Sequence, residues 1–368
     1  MPLKAVKKFF EKYERVLLPL MLLFGVTTDY IAFKAINTQW AFAWLGFHLV
    51  AALVVIAYVH LYDAKQLPPL TGGGVGRGRI TQYLRIAAPL VLQLSFGALL
   101  NASFVFYWFS ASFSVSWPFF AIVVLLMISN DVFRHLFVKP ILQISVFYFA
   151  CFSILALMIP YLVNSIDPQW FVLAGAIALL IVTLYTFLLS RGLPVIKAVR
   201  SKILFITLAI FVVMNSLYFL NLIPPIPLSL READVYHSIA RSGDGYVVQD
   251  EDKSFFAQFD PEETLHLLKN DRAYLYSSIF APAELNTQIF HRWQYFDPTQ
   301  KKWIDESRYG FYITGGRQAG YRGYSLKVKL EEGRWRVSVE TARGQVLGRV
   351  RFRVKYVDQL PPLIEEVK

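Results

Sequence analysis

The side chains best suited to chemistry in this chain are concentrated in two arginine-rich stretches near its carboxyl end and one polar triplet beside an apolar run. Residues Gly333-Arg334-Trp335-Arg336-Val337-Ser338-Val339-Glu340 and Gln345-Val346-Leu347-Gly348-Arg349-Val350-Arg351-Phe352-Arg353-Val354-Lys355 alternate basic with apolar side chains. In extended backbone a period of two puts Arg334, Arg336, Arg349, Arg351, Arg353 and Lys355 on one face and Trp335, Val337, Val339, Val346, Val350, Phe352 and Val354 on the other. Thr341-Ala342-Arg343-Gly344 joins them as a hairpin turn, with Gly344 free to take a positive φ. If Glu340 faces Gln345, Arg336 stands opposite Arg349 and Arg334 opposite Arg351, unless a bulge shifts the register. Like charges so placed cost about 0.2–1 kcal/mol per pair. Anions would quiet them: internal carboxylates such as Glu331, Glu332 or the Asp250-Glu251-Asp252 run, or lipid phosphate, or an acidic glycan or protein.

The second stretch, Ile313-Thr314-Gly315-Gly316-Arg317-Gln318-Ala319-Gly320-Tyr321-Arg322-Gly323-Tyr324-Ser325, joins tight-turn glycines to anion-binding and stacking groups, Arg317, Arg322, Tyr321 and Tyr324. It reads equally as a strand connection whose arginines and tyrosines pack on one another. The triplet is Asp131, Arg134 and His135, whose spacing sets a carboxylate beside two cations on one helical face. That suits a proton or ion relay, or an ion pair that ends a membrane span.

Other chemistries lack their signatures. The six histidines, His48, His60, His135, His237, His266 and His291, never fall three or four residues apart, and the lone cysteine, Cys151, lies in an apolar run. No metal site, intrachain disulfide or cofactor is therefore expected. There is no Gly-x-Ser-x-Gly elbow. The glycine-rich run Thr71–Arg79 lacks the Lys-Ser or Lys-Thr of a phosphate loop and reads as a linker.

Positioning these groups requires two kinds of element. Seven apolar segments, Val16 to Ala32, Ala41 to Leu61, Ile86 to Phe109, Val115 to Ser129, Ile141 to Val163, Trp170 to Leu189 and Ile203 to Ile223, predict a bundle of transmembrane helices over residues 16–223. A basic tail (1–15) precedes it, and a Pro-rich linker (224–230) follows. Beyond that the hydrophobic period falls to two, predicting an antiparallel β-sandwich over residues 231–358 and a tail at 359–368. One short helix is expected after Asp260-Pro261.

With 55% apolar residues and 17% charged, the composition is that of an integral membrane protein. Its net charge of +11 is distributed by topology: residues 1–223 hold 16 Lys+Arg against 6 Asp+Glu, whereas residues 224–368 hold 21 against 20. Fifteen of the first sixteen lie in alternate gaps between spans, and only Lys34 lies in the others. That bias places the amino terminus in the cytoplasm and the carboxyl-terminal domain outside. The partner implied is a lipid bilayer, and nucleic acid is excluded.

The segments His291-Arg292-Trp293, Gly315-Gly316-Arg317, Gly320-Tyr321-Arg322-Gly323-Tyr324-Ser325, Gly333-Arg334-Trp335-Arg336-Val337 and Gly344-Gln345-Val346-Leu347-Gly348 through Phe352 resemble the domain of unknown function 2914 over roughly residues 285–356. Pro224-Pro225-Ile226-Pro227-Leu228-Ser229-Leu230 and Val235-Tyr236-His237-Ser238 resemble members with a bacterial multi-span membrane region. The resemblance implies a multi-pass bacterial inner-membrane protein with a periplasmic domain, and brings no catalytic residue or ligand. The expected function is a non-enzymatic binding or scaffolding module for an anionic lipid, glycan or protein partner. A transporter or channel component, with its site among the helices, is the alternative, and a membrane enzyme acting on lipid or envelope precursors comes third.

Overall fold

The computed structural model describes residue 13 and residues 38–66, 79–109, 113–132, 139–224, 228–243, 245–252, 263–281, 285–315 and 320–368. They form two compact units, one helical and one holding Leu220–Lys368.

The helical unit is built from α1 (Thr38–Asp63), α2 (Arg79–Phe109), α3 (Phe113–Val132), α4 (Pro140–Val163), α5 (Pro168–Gly192) and α6 (Pro194–Phe219). Among the described residues, five of these are long and apolar enough to cross a membrane: α1, α2, α4, α5 and α6. The expectation was seven. Its first span lies outside the described residues, and its fourth corresponds to α3, whose apolar stretch Ser116–Met127 covers only about 18 Å of a roughly 30 Å hydrocarbon layer.

Each of the six helices starts earlier than its apolar run, and polar groups at and between them find partners. Arg85 forks onto both oxygens of Asp63, tying α2 to α1. The Tyr58 hydroxyl donates to the Thr81 carbonyl at 2.6 Å, and His60 Nε2 meets Gln143 Oε1 at 2.9 Å. Phe171 of α5 stacks on Tyr218 of α6 with centroids 4.0 Å apart. Gly175 has no room for a Cβ, which would strike the Phe152 ring.

Among the described residues, the second unit carries eleven strands: β1 (Ser229–Tyr236), β2 (Ser238–Ser242), β3 (Gly245–Glu251), β4 (Glu263–Leu267), β5 (Arg272–Phe280), β6 (Asn286–Asp297), β7 (Lys302–Thr314), β8 (Tyr321–Val328), β9 (Gly333–Thr341), β10 (Val346–Tyr356) and β11 (Leu363–Val367). They form three sheets, ordered β1-β5-β8, β4-β10-β9-β6-β7 and β11-β3-β2. The first two share one core, in which Leu275 and Ile279 of β5 meet Ile289 and Trp293 of β6, Trp335 and Val337 of β9, and Phe352 of β10. A smaller cluster, Tyr236, Ile239, Val248 and Tyr276, joins β1 and β5 to β2 and β3.

Three expectations are corrected here. Strand pairing is not wholly antiparallel, since β4 runs parallel to β10 with Leu265 beside Val354. Glu263 begins that strand, where the Asp-Pro signal predicted a helix; Leu265 and Leu267 alternate into the core, and that burial outweighs the local capping preference. Residues 359–368 contain β11, which pairs with β3 and so is not a loose tail.

Candidate anion-binding face

Alternation along β9 sends Trp335, Val337 and Val339 into the core and leaves Arg334, Arg336, Ser338 and Glu340 on the opposite face. On β10, Phe352 and Val354 are buried while Arg351, Arg353 and Lys355 are exposed. The expected register is displaced by two residues: Glu340 pairs with Val346 instead of Gln345, and Leu347 is an extra residue between the pairs Val346–Glu340 and Gly348–Val339. Leu347 is 2% exposed, so its apolar side chain repays the bulge with core packing. Arg349 therefore opposes Ser338, Arg351 opposes Arg336, and Arg353 opposes Arg334. The like-charge ladder survives, two residues out of the expected step.

Neighbouring strands complete the face with residues that the sequence reading did not single out. On β6, Phe290, Arg292 and Gln294 stand beside Glu340, Ser338 and Arg336. On β7, Arg308 lies opposite Arg292 and Gly310 opposite Phe290. The Arg308 guanidinium sits 3.8 Å from the Phe290 ring centre, and its Nε donates to Glu340 Oε1 at 2.9 Å. Gly310 makes room for that ring, since a Cβ there would come within 2.6 Å of it. Arg292 donates to Asp305 through Nε, and Gln294 Nε2 donates to the same carboxylate at 2.6 Å. Arg336 stacks over Trp303 at 4.3 Å and donates Nε to Gln294 Oε1 at 2.7 Å. Arg349 donates Nε to Ser338 Oγ at 3.1 Å.

The carboxylates within this network are thus Asp305 and Glu340. Of those nominated from sequence, Glu332 accepts from the Tyr356 amide, Asp250 from the Glu251 amide and Glu251 from two histidines. Hydrogen bonding from Arg292 holds the Asp305 carboxyl below its ordinary range, whereas burial raises that of Glu340 despite its Arg308 partner. Burial, reinforced by the positive charges of Arg349, Arg351 and Arg292, lowers Arg336 to about 10. Burial and Arg351 act on Arg349 in the same direction. Arg292 moves the other way, raised by its hydrogen bond to Asp305, so the paired and unpaired guanidiniums of the face are held differently.

Residues 286–354 match the family described as protein of unknown function (DUF2914). The DUF2914 segment runs from the start of β6 into β10 and contains every side chain of the network just described. No curated protein matches the chain. Two solved structures resemble it weakly. A beta-glucosidase from Listeria innocua in complex with isofagomine is 12% identical, with 36% of this chain covered, 18% of that one and a TM-score of 0.20. The alkylpurine DNA glycosylase AlkC of Pseudomonas fluorescens, bound to DNA containing an abasic site analog, is 13% identical, with 94% and 99% covered and a TM-score of 0.23. The chain thus spans under a fifth of the glucosidase, and at these scores neither likeness carries an argument.

Of the remaining candidates, the described ones within the β-rich unit lie apart from the arginine face. Within the DUF2914 segment, Arg317 lies outside the described residues, and Tyr321 packs against the main core. Tyr324 belongs to a tyrosine cluster of the other sheets, edge-on to Tyr246 with centroids 5.7 Å apart, and Arg322 lies near Tyr276 and Gly245. Asp131 lies in the last turn of α3, while Arg134 and His135 lie outside the described residues.

Two histidine sites were not visible as sites in the sequence. His291 is fully buried, with Nε2 2.8 Å from Ser277 Oγ and Nδ1 2.9 Å from Ser325 Oγ; that second hydroxyl also accepts the Trp293 indole N–H at 3.0 Å. Burial pushes its imidazole down to about 3. Glu251 is clasped by His237 Nε2 at 3.0 Å and His266 Nδ1 at 2.8 Å, and it also accepts the His266 amide. These separations are direct hydrogen bonds, which leave no space for an ion between the partners. Ser277, His291 and Ser325 are all at least nine-tenths buried, so the grouping serves to register the sheets.

Proposed function

We propose that this is a bacterial inner-membrane protein whose helices hold a β-rich domain on the periplasmic side, where it acts as a non-enzymatic binding or scaffolding module for an anionic envelope partner. The observation that carries the reading is the imbalance on the outer face of β10-β9-β6-β7. Seven arginines, Arg292, Arg308, Arg334, Arg336, Arg349, Arg351 and Arg353, stand over a network into which two carboxylates, Asp305 and Glu340, are bonded. The five apolar helices support membrane insertion, and the alternating Lys and Arg gaps support a cytoplasmic amino terminus. The core shared by the β1-β5-β8 and β4-β10-β9-β6-β7 sheets supports a β-sandwich.

The test is capture from solubilised envelopes by the full chain in detergent. The wild type is expected to retain an anionic component that a triple Arg336→Gln, Arg349→Gln, Arg351→Gln variant loses. Equal capture by both would discard the reading.

A further inference from the structure

Three guanidiniums at the centre of the face are organised in a way that selects among anions. Arg336 and Arg351 are direct cross-strand neighbours, with Arg349 two pairs further along on the same face. Side chains so placed lie about 5 Å apart in the direct pair and about 7–8 Å on the diagonal at their bases, within reach of one small ligand. Both half-buried members of the trio are held through Nε, and both acceptors are neutral: the Gln294 amide and the Ser338 hydroxyl. Each Nη pair remains to face a ligand, and stacking on Trp303 fixes the plane of Arg336. Gln294 is held in turn by Asp305, whose charge is already matched by Arg292, so the support is rigid without neutralising the trio. Arg351 is exposed and raises the local charge further.

A carboxylate brings one charge and two oxygens in a plane, enough for one guanidinium fork. Three neighbouring guanidiniums instead match a tetrahedral group with three acceptor oxygens and nearly two charges at neutral pH, which describes a phosphate monoester. Resting on the proposed reading of this face as an anion site, we infer that Arg336, Arg349 and Arg351 bind a phosphomonoester group, carried either by a small soluble molecule or by a lipid headgroup.

The experiment is calorimetric titration of the full chain, in neutral detergent and phosphate-free buffer, at constant ionic strength. Inorganic phosphate is expected to bind saturably and at least about tenfold more tightly than acetate. Arg336→Gln and Arg349→Gln should each weaken it by about tenfold. Arg336→Lys, which keeps the charge but loses the fork and its Gln294 anchor, should weaken it severalfold, while Arg241→Gln, at an exposed position of β2 in another sheet, should change it by less than about twofold. An unchanged near-ultraviolet spectrum certifies each variant's fold. Full binding by Arg336→Lys, or acetate binding as tightly as phosphate, overturns the inference. A second arm uses water-soluble short-chain phosphatidic acid: binding tighter than inorganic phosphate names a lipid source, and weaker binding a soluble one, and either upholds the site. Polyglutamate captured through the same arginines while phosphate is ignored would sink the phosphomonoester class and leave the anionic-partner reading standing. Failure of both probes would remove both.

Discussion

His291 stays neutral down to acid pH, because its ring is sealed between two serine hydroxyls and the desolvation cost of a charge there has no compensating carboxylate. In the unfolded chain the same imidazole protonates near its ordinary value of about 6.5. Below that pH the unfolded state binds a proton that the folded state refuses, so stability falls as pH drops, by about 1.4 kcal/mol per unit until about pH 3. The domain's unfolding midpoint should therefore decline from neutral pH downward, and His291→Gln should flatten that decline whatever it does to absolute stability. Unfolding followed by near-ultraviolet dichroism at several pH values measures it. Gly310 offers a second residue-scale check. A methyl there collides with the Phe290 ring, the platform for the guanidinium that neutralises Glu340, so Gly310→Ala should cost about 1–3 kcal/mol in denaturant unfolding. Neither site could be read from sequence: the partners of His291 are 14 and 34 positions away, and a glycine in a strand does not announce which ring it shelters.

Among the elements, the Glu251 clasp is the most exposed to acid. It joins β3 to His237, which follows β1, and to His266 of β4, so one carboxylate spans two sheets. Burial alone would raise its pKa, but the hydrogen bonds from His237 and His266 outweigh that and bring the net value below the ordinary one. The sign follows: a lowered carboxyl stabilises the fold above its unfolded pKa of about 4.3, and that contribution disappears as pH falls through the folded value. Amide exchange at Leu265 and Leu267 should accelerate below that range, and Glu251→Gln should show the acceleration already at neutral pH. Elements whose pattern is self-contained were legible beforehand. The β9–β10 hairpin alternates over Arg334–Glu340 and again over Arg349–Lys355, and the apolar runs behind α1, α4 and α5 span a bilayer's worth of helix. Those missed take their instructions from distant chain. The first half of β7 is an edge with polar side chains on both faces, β4 is five residues long and pairs in parallel, and Leu347 bulges because the core has a place for it. The arginine stripe was visible; its true counter-charges, on β7 and at the end of β9, depended on which strands become neighbours.

For the whole molecule the decisive question is which side of the bilayer the β-rich unit occupies. Cys151, the one native cysteine, is buried in α4 and serves as an internal blank. Gln300 sits in the exposed turn between β6 and β7. A membrane-impermeant maleimide should label Gln300→Cys in intact bacteria whose outer membrane has been permeabilised, and leave the wild type unlabelled. Labelling only after lysis would place the domain in the cytoplasm and invalidate the periplasmic assignment.

The pairing of β11 with β3 has a temporal side. Strand β3 receives β2 from its immediate neighbourhood, but its second edge stays open until the chain has passed through β10 and reached Leu363. A chain delivered amino end first must therefore carry an unsealed strand edge through most of the domain's assembly. The segment Gly245–Glu251 is where a nascent molecule would most need shielding, and where a copy truncated before Leu363 would stick to its neighbours.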